Sequence, residues 1–177
     1  MARCGRSTRG ELLGACYMKI LVTVGTQFGF NRLIELMDSL AASDNDLKIF
    51  AQIGTGTYIP SYMAWERDIS PVRFPQVIAD SDVIVSHAGM GTIISCRLAG
   101  KPLVIVPRQA SLGEHRNDHQ LATAKRLGSL HGCFTATTAD DVIAGIRKSK
   151  LSDQEPEFPE LEALITGLSN YISGDRA

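Results

Sequence analysis

Residues 83–121 read VIVSHAGMGTIISCRLAGKPLVIVPRQASLGEHRNDHQL, and this stretch decides the fold. It opens on a short apolar run, 83–85, and turns through His87, Ala88, Gly89, Met90, Gly91 and Thr92. A helix-length segment comes next and stops at Gly100. A second apolar run, 103–106, ends at Pro107 and feeds a loop dense in titratable groups: Arg108, Glu114, His115, Arg116, Asp118 and His119. Two buried-type strands joined by one helix make a β-α-β unit. Both loops leave the carboxyl ends of their strands, where open α/β sheets bind ligands.

The glycine turn has the chemistry of an anion site. The first N–H groups of a helix lack intrahelical partners, and the helix dipole adds positive charge there. Gly89 and Gly91 allow close approach to the main chain, Thr92 adds a hydroxyl and His87 a further donor. G-x-G-T alone also describes a plain tight turn. The charged loop after the next strand favours a ligand, because neighbouring loops face one crevice.

Working outward, the segment 19–24 is a short, β-branched first strand closed by Gly25, and a helix is expected over 31–42 with Leu33, Ile34, Met37 and Leu40 inward. Phe28 and Phe30 flank a glycine in the turn between them and read either as core or as an apolar contact for a partner chain. Strand two is expected at 47–53, an irregular stretch at 58–70, strand three at 72–74 and a short helix at 75–81 entered through Pro75. After strand five, a helix is expected at 118–127, strand six at 133–136, and a helix from Thr138 to about residue 149 with Asp140 and Asp141 in its first turn.

Alternating strands and helices predict an α/β fold: a single Rossmann-like parallel sheet with helices on both faces. The domain is expected at 18–150. Residues 1–17, with Arg3, Arg6 and Arg9, read as a non-core extension ahead of Met18. Residues 151–177 read as a linker and an amphipathic helix carrying Leu161, Leu164, Ile165 and Leu168 on one face. No acid closes strand two, where an NAD ribose would need one; Gln52 and Gly54 stand there, against a dinucleotide dehydrogenase.

Bulk chemistry excludes some classes. A net charge of −1 gives no general pull toward nucleic acid. Cys4, Cys16, Cys96 and Cys133 lack zinc-ligand spacing, and Cys96 and Cys133 read as buried hydrophobes in a reducing compartment. No apolar run reaches the roughly 18–20 residues of a membrane span.

HAGMGT, the proline-ended strand VIVP, EHRNDHQ and the opening VTVGTQFGF together resemble the nucleotide-sugar-binding half of GT-B glycosyltransferases. The likeness is to the glycosyltransferase family 28 C-terminal domain, and within it to the small subunits of split GlcNAc transferases and of bacterial exopolysaccharide and capsule enzymes. The resemblance implies a UDP-sugar donor whose diphosphate meets His87, Gly89, Gly91 and Thr92, with Gly25 and Thr26 on the phosphate side. It implies sugar and ribose contacts at Glu114, His115, Asn117 and Gln120, uracil near Phe74, and leaving-group stabilisation by helix N–H groups, His87 and Arg108. Many relatives bind ribose through an acid in the helix after the turn; here that position is Ser95, without a carboxylate's charge-assisted strength. The general base stays open among Glu114, His115, His119 and a partner chain, with Glu114 and His115 placed first.

One Rossmann-like unit is half of a GT-B enzyme. The resemblance therefore implies a membrane-anchored partner subunit that supplies the acceptor site for a lipid-linked saccharide, and a location at the inner membrane face through that partner. It implies inverting transfer of a hexose, hexuronic acid or HexNAc without metal or cofactor. The rival readings are a non-catalytic companion of a separate transferase and a free-standing UDP-sugar enzyme.

Overall fold

Ile20, Val22 and Val24 face one side of the first strand and Leu21 the other, and all four are at most 1% exposed. A strand buried on both faces belongs in the middle of a parallel sheet. The computed structural model, which describes residues 17–128 and 131–151, places it there. The elements are β1 (Met18–Thr23), α1 (Asn31–Ser43), β2 (Leu47–Gln52), β3 (Ala64–Glu66), α2 (Phe74–Ala79), β4 (Val83–His87), α3 (Met90–Leu98), β5 (Leu103–Val106), α4 (His119–Leu127), β6 (Cys133–Thr135) and α5 (Ala139–Leu151). The strands form one sheet in the order β3-β2-β1-β4-β5-β6, every pair parallel.

Two cores result. On one face α1 and α5 cover the sheet with Phe30, Leu33, Ile34, Met37, Val142 and Ile146. On the other, α2, α3 and α4 contribute Ile78, Ile93, Cys96 and Ala124 over Leu21, Ile84, Leu103 and Ile105. The expected Rossmann-like sheet with helices on both faces is what forms. Cys96 and Cys133 are buried free thiols, and burial pushes Cys96 up to about 12. Thr138 and Asp141 cap α5 reciprocally: the Thr138 hydroxyl accepts from Asp141 N at 3.2 Å, and the Asp141 carboxylate accepts from Thr138 N at 3.0 Å.

The expected third strand at 72–74 is corrected. Those residues wind into the start of α2, with Ser70 O accepting from Arg73 N and Phe74 N at 3.0 and 2.9 Å, and Val72 is 92% exposed. The third strand lies instead at Ala64–Glu66, inside the stretch 58–70 expected to be irregular. That stretch is anchored by the buried carboxylate of Asp38 on α1, which accepts from Tyr58 OH, Ser61 N and Tyr62 N at 2.7 to 2.9 Å. Burial opposes ionisation of Asp38, and these bonds together hold its carboxyl below the usual carboxylate range. The expectations for residues 1–16 and 152–177 lie outside the described residues. Among those described, no helix is long and apolar enough to cross a membrane.

Candidate functional site

The strand order reverses direction between β1 and β4, so the loops leaving their carboxyl ends diverge and open a crevice. A cleft of about 400 Å³ lies there. One wall is the turn from Thr23 to Phe28; the start of α3 supplies Gly89, Gly91 and Thr92; Ile69, Pro71 and Phe74 close the side toward α2; His115 and Gln120 complete it.

His87 ends β4 with its ring lodged between two glycines. A Cβ on Gly25 would stand 2.7 Å from His87 Cε1, and one on Gly89 would overlap the same ring. Gly25 also has φ +76°, a left-handed conformation that favours glycine. Burial, then the charge of Arg108, lowers the His87 pKa to about 4, against a backbone hydrogen bond to Thr23, so at neutral pH the ring is uncharged. Its Nδ1 is buried and unpartnered.

α3 begins without a side-chain cap and without an acid in its first turn. The first bond back is from Ile93 N to Gly89 O, at 3.1 Å. The amides of Met90, Gly91 and Thr92 therefore precede the helical ladder, and beyond its chain neighbours and the backbone of α3 itself no atom lies within 4 Å of a Cβ placed on Gly91. Three amides, an aligned dipole and open space form an anion cradle.

Other expected residues take different parts. Arg108 lines the cleft but is 2% exposed, and its guanidinium donates to the carbonyls of Val24, Phe28 and Gly29 at 2.8, 2.7 and 2.5 Å while stacking on Phe30 at 4.7 Å. It clamps the β1–α1 turn from behind. Gln120 is 5% exposed and accepts from Arg108 N at 3.1 Å. Thr26 and Phe74 reach the cleft.

Glu114, Ser95, Asn117 and His119 are not among the residues lining it. Glu114 faces α1, where Arg32 Nε and Nη2 donate to its two oxygens at 2.7 and 2.9 Å. Ser95 donates to Gly91 O one turn back, at 2.9 Å. Asn117 Oδ1 and His119 Nδ1 bond to each other. Of the two residues placed first as the base, only His115 borders the cleft, its ring edge-on to Phe28 at 5.8 Å and to His119 at 4.6 Å.

Sequence reasoning missed Arg32 and Gln52 as site-supporting residues. Gln52 accepts from Thr23 Oγ1 at 2.6 Å and donates to Gly25 O at 3.0 Å, which fixes the turn beneath His87. The available signal was two polar residues, Thr23 and Gln52, ending apolar strands in register. Among the described residues no three His, Cys, Asp or Glu side chains are grouped to hold a metal ion.

Rossmann strand order with an uncapped helix start at the switch point defines an α/β nucleotide-binding type of domain. The glycosyltransferase family 28 C-terminal domain model matches residues 19–167, and the chain belongs to that family. It is 33% identical over 140 residues to the Homo sapiens UDP-N-acetylglucosamine transferase subunit ALG13, covering 73% of this chain and 12% of that protein. It is 25% identical over 158 residues to the Saccharomyces cerevisiae subunit of the same name, covering 84% of this chain and 75% of that one. The kitacinnamycin glycotransferase superposes with a TM-score of 0.61 at 20% identity, over 95% of this chain and 42% of its own. The solution structure of ALG13 does so at 0.54 and 17%, over 84% and 94%. These superpositions share the fold, the C-terminal Rossmann-like half of a GT-B architecture.

Proposed function

We propose that this chain is the donor-binding, catalytic subunit of a two-component inverting glycosyltransferase that takes its sugar from a UDP-sugar. The observation that carries the reading is the uncapped start of α3 opening into the cleft beside His87, in a family 28 domain. The diphosphate lies on the amides of Met90, Gly91 and Thr92, where developing negative charge on departing UDP is stabilised without rearrangement. Neutral His87 adds a hydrogen bond rather than a charge. Phe74 and the neighbouring Pro71 and Ile69 give an apolar wall suited to uracil.

The chain spans 12% of the human relative and 42% of the kitacinnamycin enzyme. The two-component reading assigns the acceptor site to a second component. In this reading that component is membrane-anchored, the acceptor is a lipid-linked saccharide of exopolysaccharide or capsule synthesis, and the complex works at the cytoplasmic face. Transfer requires no metal.

Calorimetric titration tests the first step: UDP binds and uridine binds far more weakly. A chain that binds neither is a scaffold, not a donor subunit. Transfer from a labelled UDP-sugar to lipid extract, with and without the membrane component and with a chelator, tests the rest. Activity without the component would overturn the two-component reading, and loss to chelator the metal-free one.

A further inference from the structure

We propose that Arg32 and Glu114 are positioning residues that hold His115 against the cleft; the proposal rests on the reading of that cleft as a UDP-sugar site. Arg32 stands in the first turn of α1, 82 positions from Glu114 in the chain, and is not a cleft residue. Its guanidinium nonetheless grips the loop that carries His115 at two points, its start at Pro107 and the residue before His115. Nη2 donates to Pro107 O, at the exit of β5, at 3.0 Å. Nε and Nη2 donate to the two Glu114 oxygens at 2.7 and 2.9 Å. With side-chain exposures of 28% and 11%, the pair is partly sheltered from water. Forked geometry fixes direction as well as distance.

Within the loop, Glu114 Oε2 also accepts from Gln109 N at 2.9 Å, Glu114 N donates to Gln109 O at 3.2 Å, and Asp118 Oδ1 accepts from Ala110 N at 2.8 Å. Gly113, at φ +69°, makes the reversal. Both Glu114 oxygens are therefore occupied by donors from Arg32 and Gln109. The adjacent residue is His115, whose ring borders the cleft and whose Nδ1 accepts from Asn117 N at 3.4 Å. With Nδ1 engaged by Asn117, Nε2 is the ring nitrogen left to donate to a ligand oxygen. The ion pair sets where this donor stands without touching the ligand.

The test is a mutant cycle in the full chain, read by UDP affinity. Arg32→Ala and Glu114→Gln each weaken UDP about tenfold, the effect of one misplaced hydrogen bond. His115→Ala weakens it similarly, and Arg32→Ala adds nothing on the His115→Ala background. An equal loss in both backgrounds, or no loss in either single variant, overturns the proposal. If Arg32→Ala does not fold, near-isosteric Glu114→Gln carries the same cycle. Should the unsubstituted chain bind no UDP, the cleft reading falls, and positioning is judged on the His115 Cε1–H resonance. That signal shifts in Arg32→Ala and Glu114→Gln while that of His131 stays; an unmoved His115 signal overturns the positioning role.

Discussion

His87 occupies room that two glycines leave for it, and this makes Gly25 testable by a single methyl group. Alanine there meets the imidazole at 2.7 Å and must adopt φ +76°, itself unfavourable by about 1–2 kcal/mol for an L residue. Gly25→Ala is expected to destabilise by about 2–3 kcal/mol in urea titration and to weaken UDP. A variant as stable as the parent would mean the ring yields freely. The pH dependence has a definite sign. The unfolded chain protonates this imidazole below about 6.5, whereas the folded chain keeps it neutral down to about 4. Between those values the unfolded state binds more protons, so stability rises with pH, is complete above 6.5 and is lost on acidification. At about 1.4 kcal/mol per unit, the full contribution approaches about 3 kcal/mol. Urea midpoints from pH 7 to pH 4 should fall more steeply for the parent than for His87→Asn; parallel curves would refute the buried neutral ring. Asp141, held at about 2 by its bonds to Thr137 and Thr138, loses its contribution only at lower pH, so the two effects separate.

At the scale of elements, α3 separates function from stability. Its first turn has no acid, and the space beside Gly91 is open. An aspartate there suits the dipole and removes a helical glycine, together worth about 1 kcal/mol of stabilisation. It also puts a negative charge in the anion cradle. Gly91→Asp should therefore melt no lower than the parent yet lose UDP binding at least tenfold; retained binding would place the diphosphate elsewhere. The β1–α1 turn depends on Arg108, whose planar fork reaches three carbonyls that an ammonium cannot serve together. Arg108→Lys is expected to destabilise by about 2 kcal/mol or more, measured by urea unfolding. These elements were legible in unequal degree. β1 and the β4–α3–β5 unit announce themselves because strands buried on both faces read as apolar runs. β3 did not, being three partly exposed residues at the sheet edge, too short for a pattern. Phe30 is buried and Phe28 is 41% exposed, a division that neighbours in space decide. The part of Arg32 was illegible for the same reason: a pair 82 positions apart has no local signature.

For the whole molecule, strand order places the cleft. β1 and β4 stand side by side at the centre, with Thr23 opposite Ser86, so the turns after them flank one opening. Motif spacing reveals each turn, but their neighbourhood comes only from the parallel order that right-handed crossovers impose. Helices cover both faces of the sheet, and the cleft opens at its carboxyl edge. On the proposed reading the donor site lies wholly within this domain, so UDP alone should stabilise this chain. At one hundred times its dissociation constant, a ligand specific to the folded state adds about 2.7 kcal/mol. For a domain of this size that raises the melting temperature by roughly 5–10 °C. Uridine at the same concentration should give little, because the α3 amides and dipole act on the diphosphate. A uridine shift equal to that of UDP would mean that base and ribose carry the affinity, and would remove the anion cradle from the site.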